Sequence, residues 1–600
     1  MLRPIVLLMG LTLAGCSGLL SPKSRRSELN LPEDTRFRNF MAEVQATWLD
    51  LGPMHAVLSG QRRVLPGWDD LSLNREQRVR QWLEVSLNRV RGEFLGRGVQ
   101  GDEAELRRGG EAWIAGRLEE QVWLPQVDLL SEAAGAQRLP AQCLWLGPAP
   151  RSLAEWQTWL VRLGELPAYL AGLEERLHSK ALLRTLPPKQ TLLRARTASL
   201  AWIAGRPFNS LSSTPSPWQR EAGAQLDASP DLEDEERENL RTQIDRVLAD
   251  QVGPAYQRLA ATLDELQSQA PDAVSVYART DGEAWYAFRL AQIAGEPVLP
   301  SVLHERALAE ADELQERVRA WLRAKGTPGT VEEFLRDLRE SSAWPRSDEA
   351  TWRERAAGWQ RLAHARLEVE GLSAPAKTAE LRVRPAELTL AWHPAEFSPV
   401  HDTVDLQLDD WPALPALFVP CLVAGETLPG ARLQLAQPSG SAATPALLRQ
   451  EAREAWTLGW NLYATRLAGE WELYASPEEQ LGQVLWELWC VALVAADTGL
   501  HDRQWSQSEA EQFLERHCAF RRPIYQAAVR DLIERPGDLC APAVGLWQIL
   551  DLRRDAEAAL PDRFDGTRFH RMLLQAGPLP PEPLRARLAN WIEMQKERPE

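Results

Sequence analysis

Along most of the chain apolar residues recur three and four positions apart, the spacing that lines one face of a helix. Ala307, Ala311, Leu314, Val318, Trp321 and Leu322 form one such stripe. Helix-start signals accompany the stripes. Ser152 with Glu155, Thr330 with Glu333 and Ser508 with Glu511 have the spacing of a capping box, in which hydroxyl and carboxylate satisfy each other's backbone N–H groups. Ser476-Pro477-Glu478-Glu479 adds a first-turn proline to the same signal. These patterns predict long helices over 35–50, 75–97, 103–133, 152–178, 233–269, 302–324, 347–369, 445–470 and 477–497, and a last group over 506–518, 541–558 and 581–596. Residues 379–409 differ. Leu381-Arg382-Val383, Leu388-Thr389-Leu390-Ala391-Trp392 and Val404-Asp405-Leu406-Gln407-Leu408 alternate apolar and polar positions, which predicts two or three short strands. The expected fold is mainly α: a large multi-helix body with a small β-sheet ahead of residue 425. The strand region is expected to divide an N-terminal helical lobe, 35–378, from a C-terminal one, 379–600.

The first residues follow another logic. Met1-Leu2-Arg3 is a short basic start, and Pro4 to Leu13 is an apolar run, too short for the roughly 20 residues that cross a bilayer. It ends in Leu13-Ala14-Gly15-Cys16. Small residues before a cysteine fit a lipoprotein cleavage site, and the thiol accepts the lipid. Residues 1–15 therefore read as a lipoprotein signal peptide, Cys16 as the lipidated residue, and 16–34 as a polar tether. Ser17, not Asp, follows the cysteine, which favours the outer membrane. The body is expected to face the periplasm, held to the membrane through the lipid, with no later segment crossing it.

Composition narrows the function classes. The net charge is −16, which disfavours nucleic acid, since phosphates are bound by a basic face. Beyond Cys16 the cysteines are Cys143, Cys421, Cys490, Cys518 and Cys540. One or two bridges are compatible with an oxidising compartment, with buried free thiols expected for most. The 25 tryptophans are expected chiefly to fill helix packing; a glycan-binding surface is the other reading.

No G-x-S-x-G nucleophile turn is present. Gly425 to Arg432 has two glycines at phosphate-loop spacing, but Ala431 stands where the lysine belongs. His304-Glu305 begins like a zinc-protease motif, but Leu308 replaces the second histidine; a solvated helix face is expected there.

The informative run is Gly425-Glu426-Thr427-Leu428-Pro429-Gly430-Ala431-Arg432-Leu433-Gln434. It resembles the H-E-x-x-P-G-H-H-L-Q signature of the domain-of-unknown-function 885 family, whose members look like zinc metallopeptidases and are often lipoproteins. Gly459-Trp460-Asn461-Leu462-Tyr463-Ala464 is similar to the family's E-G-W-A-L-Y-A, and Asp497-Thr498-Gly499-Leu500-His501 matches its D-T-G-L-H. Pro536-Gly537, Phe569-His570, Gly577-Pro578-Leu579-Pro580 and Asp69-Asp70-Leu71-Ser72 continue the resemblance in the family's order. The resemblance implies a zincin-like fold. It also implies histidines where Gly425, Ala431 and Arg432 stand, a glutamate at Leu458, and a Tyr-Lys pair at Pro542-Ala543. None of those side chains is a metal donor here. Glu426, at the general-base position, and His501 are left as vestigial site residues, with Tyr463 and Asp497 as candidate cleft residues. Glu426 is expected to cap a helix or pair with Arg432.

Three function readings follow. In the first the protein is a pseudoenzyme, without metal or other cofactor, whose old cleft binds a peptide or an envelope partner. In the second, a hydrolase has rebuilt its metal site from His393, His401, Asp402 and Asp405. The third is a glycan-binding module.

Overall fold

The structure is a computed structural model that describes residues 31–597 except 59–66, 95–101, 132–134, 376, 385–392, 400, 409–413 and 438–453. Residues 1–15, expected to be a signal peptide, and Cys16 lie outside the described residues. The first half is a run of helices: α1 (Glu33–Leu51), α2 (Pro53–Leu58), α3 (Leu73–Arg89), α4 (Asp102–Trp123), α5 (Leu139–Leu146), α6 (Leu153–Leu183), α7 (Lys189–Trp202), α8 (Pro217–Asp227), α9 (Asp234–Val247) and α10 (Gly253–Leu266). Then come α11 (Gly282–Ala294), α12 (Pro300–Lys325), α13 (Val331–Glu340) and α14 (Glu349–Val369). Three short strands follow, β1 (Glu380–Val383), β2 (Ala395–Ser398) and β3 (Thr403–Leu406). The chain closes with α15 (Val419–Glu426), α16 (Ala431–Ala436), α17 (Glu454–Glu470), α18 (Pro477–His501), α19 (Gln507–His517), α20 (Arg522–Glu534), α21 (Ala541–Ala559), α22 (Gly566–Ala576) and α23 (Pro581–Lys596). The mainly helical fold with one small sheet is as the periodicity predicts.

Local chemistry accounts for many boundaries. Ser152, Thr330 and Ser476 each accept a hydrogen bond from the backbone three residues on. The cap expected at Ser508 is instead formed by Ser506 with Glu509, two residues earlier. The single helix expected over 233–269 is interrupted by a π-helical turn at Leu248–Val252, just ahead of Gly253-Pro254. Proline brings no N–H to the ladder, and a wide turn absorbs the break. The helix expected to 133 ends at Trp123, two residues before Pro125.

The sheet has the order β1-β3-β2, with β1 parallel and β2 antiparallel to β3. Val404 is the common neighbour of Leu381 and Phe397. The strand expected over Leu388–Trp392 lies outside the described residues; the third strand is Ala395–Ser398.

Packing divides the molecule elsewhere than at residue 378. One apolar core draws on residues 37–114, a second on 54–266, and the largest on 276–592. Helices α11 to α14 thus share a core with the C-terminal helices. At the centre of that core is α18, in which every residue from Leu481 to His501 is buried. A helix apolar on all sides is either a membrane span or a buried core helix. By length and composition α18 is apolar enough to span, contrary to the sequence reading, but its whole apolar window is buried inside the protein. The same holds for the stretch Ala416–Ala436, which a turn breaks into α15 and α16.

The five described cysteines are free and buried. No described tryptophan is among the exposed large apolar residues. Trp156, Trp218, Trp352, Trp460, Trp489 and Trp547 are fully buried, so the described tryptophans chiefly supply core.

Candidate functional site: a small cavity beside Glu426

Helix α15 is apolar throughout and buried, and Glu426 is its last residue. The chain then turns back through the cis Leu428–Pro429 bond, with Gly430 N donating to Ala424 O at 3.0 Å. A side chain at Gly430 would meet Gly425 O at 1.9 Å, so only glycine fits the turn. The surviving Pro429-Gly430 of the motif is therefore accounted for by backbone geometry.

Glu426 faces a small cavity between α15, α17 and α18. The cavity is lined by Gly425, Leu458, Asn461 and Pro542 as well as by His393, Cys421 and Cys490. Three of the positions at which the sequence departs from the family pattern, Gly425, Leu458 and Pro542, thus converge from three separate elements. Ala431 and Arg432 do not line it. The cavity measures about 20 Å³, room for about one water molecule.

The carboxyl of Glu426 is held from several sides. Its Oε2 accepts from the Phe397 N–H at 2.8 Å, at the middle of β2. The Asn461 side chain also hydrogen-bonds to it. His393 Nε2 lies 3.6 Å from Oε1. Burial pushes the Glu426 carboxyl up to about 8, against the lowering effect of the Phe397 N–H. Burial also pulls His393 down to about 4. Near neutral pH both groups are therefore uncharged, as buried groups without a strong counter-ion become. The His393 ring packs edge-on against Trp486, 4.9 Å between centroids. The expected pairing of Glu426 with Arg432 does not occur. Arg432 instead forks onto Asp402, with both N···O distances 2.7 Å, and donates to the Lys377 carbonyl.

A metal does not fit this donor set. The Cys421 thiol donates to Phe418 O at 3.1 Å, and burial pushes both cavity thiols upward, away from the thiolate a metal needs. Among the described residues no three His, Cys, Asp or Glu side chains gather to hold an ion. The rebuilt set does not assemble either. Asp402 is taken by Arg432, and Asp405 by Arg382 and Arg384, with the Arg382 Nε bond at 2.9 Å and the Arg384 Nε bond at 3.1 Å. Only His393 of that set lines the cavity.

The other motif residues lie elsewhere. Tyr463 is fully buried, and Arg553 donates to its oxygen at 3.0 Å. The hydroxyl proton is left to His570 Nε2, 2.8 Å away. Asp497 is fully buried, accepting from Tyr286 OH on α11 and from Gly537 N at 2.9 Å. Burial pushes its carboxyl up to about 7. His501 Nδ1 accepts from Val276 N at 3.4 Å, so Nε2 carries the proton toward Leu532 O at 3.0 Å. Tyr463, Asp497 and His501 are not among the residues that line the cavity with Glu426, although Asn461, Leu462 and Thr465, around Tyr463, are. His304 departs from the expected solvated face as well: it is buried, with Nδ1 2.8 Å from Thr498 Oγ1. Residues that sequence reasoning missed are Asn461, Cys421, Cys490 and Trp486. Only Asn461, inside the Gly459–Ala464 motif, carried a signal.

The family described as bacterial proteins of unknown function (DUF885) matches residues 53–588. The chain belongs to the DUF885 family. Two solved structures share its fold. One, titled a "putative lipoprotein" from Colwellia psychrerythraea, is 21% identical with a TM-score of 0.83, over 94% of this chain and 100% of that one. The other, titled a "putative lipoprotein of unknown function" from Shewanella oneidensis, is 16% identical with a TM-score of 0.65, over 93% and 99%. No curated protein matches. In this DUF885 chain the cavity beside Glu426 brings together Gly425, Leu458 and Pro542, three of the positions where the resemblance implies other side chains.

Proposed function

We propose that the chain is a lipid-anchored protein of the bacterial envelope, held through Cys16 in the outer membrane and facing the periplasm. We further propose that the pocket its zincin-like relatives would use for a metal has become core, without hydrolysis. The convergence of Gly425, Leu458 and Pro542 on an uncharged Glu426 carries the second part. A general base of this type acts on a metal-polarised water, and neither the ionised carboxylate nor a ligand set accompanies it here. The reading narrows what the old cleft can do: ligand pockets occupy roughly 300–1,000 Å³, and the free space beside Glu426 takes no peptide.

Elemental analysis of protein purified without chelator tests the second part, with less than stoichiometric zinc expected; about one tightly held zinc per chain overturns it. For the anchor, Cys16→Ser is expected to accumulate as an unprocessed precursor that takes up no lipid label. Normal processing with label in that variant removes the assignment.

A further inference from the structure

The polar side chains around the cavity beside Glu426 do not all satisfy one another. The Cys421 thiol donates to Phe418 O at 3.1 Å and the Thr465 hydroxyl to Leu462 O at 2.8 Å, so both give their protons to backbone. Asn461 is different. Its side chain hydrogen-bonds to the Glu426 carboxyl, which engages the amide donor, Nδ2. Its acceptor, Oδ1, is buried, and no described residue donates to it. A buried amide oxygen without a donor is costly, and native interiors supply such atoms with ordered water where the protein offers no partner.

A second gap lies beside the same carboxyl. His393 Nδ1 accepts from Ala395 N at 3.3 Å, so the ring proton is on Nε2. That Nε2 lies 3.6 Å from Glu426 Oε1, too long for a direct hydrogen bond. Oε2, the other oxygen, is engaged by the Phe397 N–H. A polar pair held this far apart is commonly completed by a shared water. The space available is about 20 Å³, and one water needs roughly 10–15 Å³ and two to four polar partners.

We propose that the cavity is a binding site for one ordered water molecule, held by Asn461 Oδ1, Glu426 Oε1 and His393 Nε2. The proposal rests on the reading that no metal occupies this pocket. The three atoms ask for a ligand that both gives and takes protons. The water donates to Asn461 Oδ1 and accepts from His393 Nε2–H. Toward Glu426 Oε1 it can do either, so it suits both protonation states of the carboxyl. A metal ion or an ammonium group has no lone pair for the His393 N–H and fits the same atoms poorly. The water joins His393, just ahead of β2, to α15 and α17.

The test is a crystal structure of the chain purified without added metal or chelator, at a resolution that shows ordered water, with data collected above the zinc absorption edge. The expected result is one well-occupied peak within hydrogen-bond distance of all three atoms and without anomalous signal. Asn461→Leu, close in volume but without donor or acceptor, is expected to lose the peak. An anomalous peak overturns both this proposal and the metal-free reading. A parent map without a peak, or one in which His393 Nε2 and Glu426 Oε1 bond directly, overturns the water alone. A peak unmoved in Asn461→Leu shows that Asn461 does not hold it and overturns the site as assigned. The parent map decides the first two outcomes even where the variant fails to fold.

Discussion

Two regions of the C-terminal core resemble the same family signature and differ in how much of it they carry. Around Glu426 glycine, leucine and proline stand where the resemblance implies other side chains, and a water-sized space lies between them. Around Asp497 the signature is intact, yet its polar atoms are consumed in holding the fold. Asp497 ties Tyr286 of α11 to the turn at Gly537, and His501 ties Val276 to Leu532. The difference teaches that keeping a motif is no evidence of chemistry. Removing a buried carboxyl with two donors aimed at it strands both, whereas a position whose neighbours are apolar can be filled with carbon at little cost.

The largest expected effect tests the frame that both regions share. Helices α17 and α21 cross at Gly459 and Gly545 with no room for a side chain. Gly459→Trp therefore forces the helices apart, with a cost at or above the roughly 3 kcal/mol reached by ordinary overpacking. The cooperative thermal transition followed by circular dichroism is expected to disappear. A parent-like melt means that the crossing is looser than described. This substitution consequently reports on folding and cannot serve as a probe of ligand binding.

The second effect separates the two regions. Asp497→Ala leaves the Tyr286 hydroxyl and the Gly537 N–H buried without an acceptor, at about 1–3 kcal/mol for each stranded donor. Glu426→Ala strands the Phe397 N–H and the Asn461 side chain, one partner fewer than Asp497, which the Cys540 thiol also bonds. Asp497→Ala is thus expected to lower the denaturation midpoint more than Glu426→Ala, under the same buffer at pH 6. The reverse ranking makes Glu426 the structural residue and undoes the contrast.

Much of this was legible in the sequence, for identifiable reasons. Helical periodicity and hydroxyl caps are local, so α12, α14 and α18 were visible, and the motif order named the family. The site was legible only as a set of losses. That Gly425, Leu458 and Pro542 meet is a fact of tertiary packing between helices far apart in sequence. That His393 joins them depends on where β2 carries the preceding residues. Tyr463, Asp497 and His501 do not line the cavity that Leu462, the chain neighbour of Tyr463, helps to line, and which residue of a motif faces a cavity is not written in the motif. Burial of His304 was missed because the residue was weighed only as part of a metal motif, although it stands three positions before Ala307 on the apolar stripe of its helix.

The smallest effect is the most specific to the cavity beside Glu426. In the folded protein burial holds the Glu426 carboxyl protonated up to about 8, against an ordinary value of 4.5. Between those values the unfolded chain has lost the proton and the folded chain keeps it, so protons bound are fewer in the unfolded state. Stability from this group is complete below about 4.5, falls as pH rises by at most about 1.4 kcal/mol per unit, and is gone above about 8. Glutamine has the shape of the protonated side chain and keeps an acceptor for the Phe397 N–H, but cannot ionise. Glu426→Gln is therefore expected to match the parent near pH 5 and to exceed it in chemical denaturation at pH 8.5. The same carboxyl logic applies to Asp497, held up to about 7, and the opposite sign to His393, whose neutral form stabilises above 6.5 and is lost as pH falls through about 4. Both are present in parent and variant, so they cancel in the difference. A difference that stays flat from pH 5 to 8.5 means that Glu426 is ionised inside the fold. Should the variant also abolish a peptidase activity measurable in the parent, Glu426 is a working base and the cavity is an active site after all.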